Sequence, residues 1–284
     1  MQFKKWKKIK KGAFLLGSAL LPCVVLLMLW SHGAENTAHF KPKYDKADVM
    51  EYAERNILTK EDYQVLFCQT GLGKEAVDVL WETEATSRAD CLQFLQKRFF
   101  AEVDIRCEPN TIITRQESLV NMPEFTSDWQ KCFPFLEDGD ILITFCCHFF
   151  GWRNGHAGMV VDAEKGLVLE ASSLGSNSSV TSVKNWTKYP SVAILRLRDA
   201  PKETRAEIAE YAELHYNDLP YRLSAGILPR VEGTQCAHLV YEAYRQFDYD
   251  IDSDKGIVVT PRDLFESSQL EVIQIYGMDP AQWN

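Results

Sequence analysis

Gly233-Thr234-Gln235-Cys236-Ala237-His238-Leu239-Val240-Tyr241 is the stretch on which the reading of this chain turns. Gly233 and Thr234 break the preceding chain, and Leu239, Val240, Ala243 and Tyr244 then recur at helical spacing. Cys236 therefore stands in the first turn of a helix. Its thiol lies near backbone N–H groups that lack helical partners and near the positive end of the macrodipole. Such a position lowers a thiol's pKa, and a neighbouring imidazolium lowers it further. A lone cysteine is more often a buried structural residue, so a second group is needed before chemistry is read into it.

That second group precedes it in the chain. Gly155-His156-Ala157-Gly158-Met159-Val160-Val161 reads as a strand opened by a histidine. Alternation puts His156, Gly158 and Val160 on one face and Ala157, Met159 and Val161 on the other. The next strand, Leu167-Val168-Leu169-Glu170-Ala171-Ser172, carries a carboxylate among apolar neighbours, where an unpaired charge is costly. A hairpin turn at 163–166 brings Glu170 towards His156, where it would fix the imidazole's tautomer and orientation. Tyr221, in Pro220-Tyr221-Arg222, precedes the cysteine helix by a loop and offers a hydroxyl to an oxyanion. Taken singly, each residue has a plain reading as well: an edge histidine, a solvated glutamate, a packed turn tyrosine. Cys146-Cys147-His148 with His156, or Cys236-x-His238, supplies metal-ligand residue types but not the spacing of structural zinc, so no metal is expected.

The surrounding pattern is α+β. Thr59 and Asp62 form a capping signature for one helix, and Ser87 and Asp90 for another, within a helical region that with its linker spans 34–133. From 134 onward the texture changes to strands over 140–147, 156–162, 167–172 and 192–198, joined by tight turns. Helices over 201–216 and 236–247 follow, with one more opened by Thr260-Pro261 and a last strand over 270–276. An antiparallel sheet with packed helices is the expected result.

The 284 residues are 46% hydrophobic and carry a formal charge of −9. Six lysines fall within the first eleven residues, so the rest of the chain carries −15. That excludes nucleic-acid binding, which needs basic patches. The uncharged run from Gly12 to Trp30 is long enough to cross a hydrocarbon core of ~30 Å. Residues 1–33 accordingly read as a cytoplasmic lysine-rich stub and a signal-anchor helix, with a cleaved signal peptide as the alternative. The expected location is a single-pass cell-membrane protein with its bulk on the extracytoplasmic side. Beyond Cys23 and Cys236, six cysteines remain (Cys68, Cys91, Cys107, Cys132, Cys146 and Cys147), either disulfide-bonded or buried as free thiols.

Three segments together resemble the YiiX/YaeF-like permuted papain-like amidases, relatives of the NlpC-type cell-wall peptidases. They are Gly139-Asp140-Ile141-Leu142-Ile143, then 155–161 with Leu169-Glu170-Ala171, then Pro220-Tyr221 with Gly233–Val240. Pro-Tyr followed by a Cys-small-x-Leu-Val helix is similar to the NlpC-type signature, with Gln235 where that signature has aspartate and Ala237-His238 where it has Ser-Gly. Histidine before cysteine is the permuted order. The resemblance implies a permuted papain-like domain over 134–284, with Cys236 as nucleophile, His156 as general base, Glu170 as orienting residue and Tyr221 as oxyanion donor, and with no cofactor. It implies an amide-cleaving cysteine hydrolase acting on peptide or lipid-amide substrates, cell-wall peptides among them. A lipid acyl hydrolase or acyltransferase of the same fold and a non-catalytic binding module are the alternatives.

Overall fold

The computed structural model describes residues 39–111, 113–149, 151–227 and 232–283, together with Leu26. Apart from Leu26, the run read as a membrane anchor lies outside the described residues. Among the described residues no helix is long and apolar enough to cross a membrane.

From residue 39 onward the described residues open with four helices: α1 (Val49–Ala53), α2 (Lys60–Thr70), α3 (Lys74–Trp81) and α4 (Ala85–Phe99). The Thr59–Asp62 capping box opens α2 as expected. Helix α4, however, starts one turn before the Ser87 signature, with Glu84 at its N-cap position. Arg88, Ala89 and Leu92 are buried together, so packing fixes that helix's start ahead of the local cap.

The region 34–133 is not wholly helical. A hairpin of β1 (Asp104–Pro109) and β2 (Thr114–Val120) follows α4, and then come the short helices α5 (Pro123–Thr126) and α6 (Trp129–Cys132). The expected strand over 140–147 divides into β3 (Ile141–Thr144) and β4 (Cys147–Phe149), which belong to different sheets. Strand β4 joins β2 on one side and β5 (Trp152–Arg153) on the other, making a four-stranded sheet in the order β1-β2-β4-β5.

The main sheet adds β6 (His156–Asp162), β7 (Leu167–Glu170), β8 (Ser179–Ser182), β9 (Val192–Leu197) and β10 (Leu270–Tyr276) to β3. Its order is β10-β9-β3-β6-β7-β8, antiparallel at every pairing. The fold is thus mixed α and β on antiparallel sheets.

Alternation divides the main sheet's two faces cleanly. Ile141, Ile143, Ala157, Met159, Ala193 and Leu195 pack against α7 (Lys202–Tyr216) and α8 (Cys236–Arg245) through Ile208, Ala212, Leu239, Val240 and Ala243. Leu142, Val160, Val168 and Ile194 pack on the opposite side against Leu66, Val77, Leu92 and Leu95 of the leading helices. A buried salt bridge locks the second layer. Arg196 on β9 donates to both Asp140 carboxylate oxygens at 2.8 Å, to Glu75 on α3 at 2.7 Å and to the Phe135 carbonyl at 2.8 Å.

Gly71-Leu72-Gly73, between α2 and α3, runs along the outer edge of β10. Ile275 N donates to Gly71 O, Gly73 N donates to Ile273 O, and Leu72 is bridged to Gln274. A Cβ on Gly73 would lie 1.8 Å from the Val272 carbonyl oxygen, so only glycine permits this approach.

Candidate active site

Strand register decides where His156 and Glu170 meet. Gly158 is paired directly with Glu170 across β6 and β7, which makes His156 the diagonal neighbour on the same face. Gly158 presents no side chain there. A Cβ on it would come within 2.7 Å of Val168 Cγ1 and 3.0 Å of Trp186 Cζ2. With that space open, the Trp186 indole stacks on the imidazole at 5.3 Å between centroids and 16° between planes. His156 Nε2 then lies 2.7 Å from Glu170 Oε2, and Thr181 on β8 donates to Glu170 Oε1 at 2.6 Å. Both side chains of the pair are less than 10% exposed.

Cys236 arrives from the sheet's other face at the end where β6 begins. Gln235 is the N-cap of α8: its Oε1 accepts from Ala237 N at 3.2 Å, and its Nε2 donates to the Val259 carbonyl at 2.9 Å. The glutamine therefore performs the capping that aspartate's shorter side chain performs elsewhere. The Cys236 sulfur stands 3.6 Å from the same Gln235 oxygen and near enough to His156 for the imidazole to act on its ionisation. With His156 Nε2 committed to Glu170, Nδ1 is the ring nitrogen left to serve the thiol.

The electrostatics of the three groups agree. Burial on its own pushes the Cys236 thiol up, but the hydrogen bond and charge of His156, with the N–H groups of Ala157 and Ala237, hold it below its ordinary 9.0. Burial likewise pushes His156 down, yet its bonds to Cys236 and Glu170 and their charges raise it to about 10. Burial would raise Glu170 too, and His156 and Thr181 keep it below its ordinary value. All three directions favour a thiolate, an imidazolium and a carboxylate in one row.

Tyr221 reaches the same place through the backbone. Thr234 N donates to Pro220 O at 3.0 Å and Arg222 N donates to Thr234 O at 2.8 Å, so the Pro220-Tyr221 segment lies alongside the entry to α8. Burial first, then the charges of Cys236 and Cys147, push its phenol well up, leaving it an O–H donor at neutral pH. A cavity of about 560 Å³ opens over Cys236, His156 and Tyr221. Cys147 and Tyr189, which the sequence did not single out for this role, also line it; Trp186 and Thr181 had no sequence signal either.

The metal-type residues do not share a centre. Cys146 bonds to Ser191, Cys147 to Tyr189, His148 to Glu117 and His156 to Glu170. His238 turns to Thr234 and Glu242. Among the described residues, donor atoms of Cys107, Glu117 and His148 do lie within 4.8 Å of one another, as do those of Asp252, Asp254 and Asp263. Glu117 is spent on His148 at 3.0 Å and Arg153 at 2.6 Å, so the first group is a hydrogen-bonded clamp beside a guanidinium, a poor setting for a cation. All seven described cysteines are free thiols.

No protein-family model and no curated protein matches this chain. Among solved structures, the crystal structure of metalloprotein YiiX from Escherichia coli O157:H7 aligns with a TM-score of 0.39 and 17% identity, over 48% of this chain and 96% of that one. A likeness this shallow leaves the site to be read from its own geometry.

Proposed function

We propose that this chain is a cysteine hydrolase of permuted papain-like arrangement that cleaves amide bonds, with peptides of the cell wall as a substrate class. In this reading the N-terminal apolar run anchors it in the membrane and the catalytic portion faces the extracytoplasmic side. The observation that carries the reading is the buried row of Cys236, His156 and Glu170 with a cavity opening over its cysteine end.

The chemistry follows from the protonation states. The Cys236 thiolate attacks the carbonyl carbon, and the oxygen takes the displaced electron pair beside the Tyr221 hydroxyl and the amides at the start of α8. The His156 imidazolium passes its Nδ1 proton to the leaving nitrogen as the C–N bond breaks. Neutral His156 then takes a proton from water, whose oxygen attacks the thioester, and expulsion of the thiolate restores the resting pair. Glu170 keeps the imidazole in the tautomer and plane that this needs.

A second reading, a lipid acyl hydrolase or acyltransferase, is favoured by one observation. Leu174 and Leu223 line the cavity while remaining 40% and 47% exposed, an apolar lip suited to an acyl chain. The test treats the full chain in detergent with iodoacetamide across pH and maps the labelled cysteine. Rapid labelling of Cys236 near neutral pH is expected, followed by cleavage of muropeptides. Cleavage of phospholipid alone selects the second reading. Labelling no faster than that of an ordinary thiol removes both and leaves a binding module.

A further inference from the structure

One part of the lining of the cavity over Cys236 is unusual in charge. Strand register places Arg115 on β2 directly opposite His148 on β4, and His148 directly opposite Arg153 on β5. Paired positions project to the same face, so three basic side chains stand in a row across three strands. All three line the cavity. Glu117, two residues along β2 from Arg115, is bonded to both neighbours in the row, to Arg153 at 2.6 Å and to His148 at 3.0 Å, with its side chain only 3% exposed. It is not part of the cavity lining, so it fixes Arg153 in place from outside the cavity. Arg115 Nη2 is steadied by the Cys107 carbonyl at 3.3 Å. Arg262, at the start of α9 (Pro261–Phe265), adds a third guanidinium to the lining; its pairing with Glu266 at 2.9 Å is solvent-exposed and weak. Among the described lining residues there is no aspartate or glutamate, in a chain with 40 acidic residues against 31 lysines and arginines.

We propose that this cavity selects substrates bearing an oxyanion, carboxylate or phosphate, near the bond that Cys236 attacks, with Arg115, Arg153 and Arg262 as the selecting residues. The planar fork of a guanidinium held by a carboxylate is preorganised for such a group. The proposal rests on the reading of Cys236 as an accessible nucleophile.

A pair of alkylating reagents that differ only in charge separates the two. Rates of Cys236 labelling by iodoacetate and by iodoacetamide are measured, and their ratio is compared with the same ratio for glutathione. A unit charge about 10 Å from the reagent, across a half-solvated cleft of effective dielectric about 40, changes the encounter about fourfold at low salt and less at ~0.15 M. The iodoacetate ratio is therefore expected to exceed that of glutathione, to fall two- to fourfold (order of magnitude) in Arg115→Gln and again in Arg115→Gln/Arg262→Gln, and to fall with added salt. Arg153→Gln, in which Glu117 keeps its bond to His148, is expected to lower the ratio likewise. A ratio that the arginine variants leave unchanged overturns the proposal even when Cys236 is reactive, because His156 alone then explains any preference. Cys236 inert to both reagents defeats the hydrolase reading instead. Protection of Cys236 by N-acetylglutamate assigns the oxyanion to a peptide carboxylate, and protection by glycerol 3-phosphate assigns it to a lipid headgroup; either supports the selection.

Discussion

Replacing His156 by alanine isolates what the imidazolium does for the thiol. In the intact protein burial opposes ionisation of Cys236, and His156 outweighs it. Removal of the ring leaves the burial. The buried thiols Cys91 and Cys146 show where that leads, since burial raises both to about 11. A Cys236 thiol near that value is ionised in about one molecule in ten thousand at pH 7. Roughly half of that loss, on a logarithmic scale, returns because a more basic thiolate is the stronger nucleophile. Alkylation of Cys236 by iodoacetamide at pH 7 should therefore slow by roughly ten- to a hundredfold, and its pH midpoint should move from below 9 to above it. Turnover should fall further, because the variant also lacks the acid for the leaving group. The assay is the rate of mass-mapped labelling at Cys236 between pH 5 and 11, with Cys68 as an internal reference. Labelling of the variant at the intact protein's rate, with an unshifted midpoint, would refute the pairing of thiolate and imidazolium.

Three further outcomes are expected. Glu170→Gln should lower the alkaline limb of turnover from about 10, because burial then depresses His156 with less to oppose it. His156's raised value contributes stability that is fully present below pH 6.5 and lost as pH rises through about 10, so the variant's deficit in urea midpoint should shrink across that window. Arg196→Met strands the fully buried Asp140 and should cost about 3–5 kcal/mol in urea unfolding, with Asp140→Asn in the same chain recovering part of it; equal costs for the single and double variants would contradict this. Gly73→Ala should lower the thermal midpoint by several degrees, an expected loss of about 2 kcal/mol or more, since its Cβ meets the backbone of β10 and not a movable side chain.

The helix under Cys236 and the strand carrying His156 were both legible, because each shows a clean period: Leu239, Val240 and Ala243 at helical spacing, Ala157, Met159 and Val161 at every second residue. Turn 163–166 made the approach of Glu170 readable from the same pattern. What could not be read carries a weak period or none. Strand β1 alternates Asp104, Arg106 and Glu108 with Ile105 and Cys107, but it is short, mostly exposed and ends on a proline, so it stands out little beside the helices before it. Strand β8 reads Ser-Val-Thr-Ser, yet its Thr181 completes the shell around Glu170. The residues 140–147 look like one strand because Phe145, Cys146 and Cys147 continue its character; the change of sheet between Thr144 and Cys147 is set by the partner strands. Trp186 stacks on His156 from the 3₁₀ turn Val183–Lys188; Asn185–Lys188 reads as a helical turn, but no local signal aims its indole at the histidine.

The strip Gly71-Leu72-Gly73 has a consequence for how copies of this molecule behave towards each other. An antiparallel sheet ordinarily ends in strands whose N–H and C=O groups invite another chain to add on. Here the β10 edge already spends Ile275 N and the Ile273 carbonyl on the strip. At the far side the chain next to β8 is engaged likewise, with Ser178 exchanging backbone bonds with Asp218 and Leu219. The sheet thus has its β10 margin hemmed by its own chain, and an alanine at Gly73 would unpick that hem. Such a variant should form strand-mediated aggregates on mild heating well before the core around Cys236 comes apart.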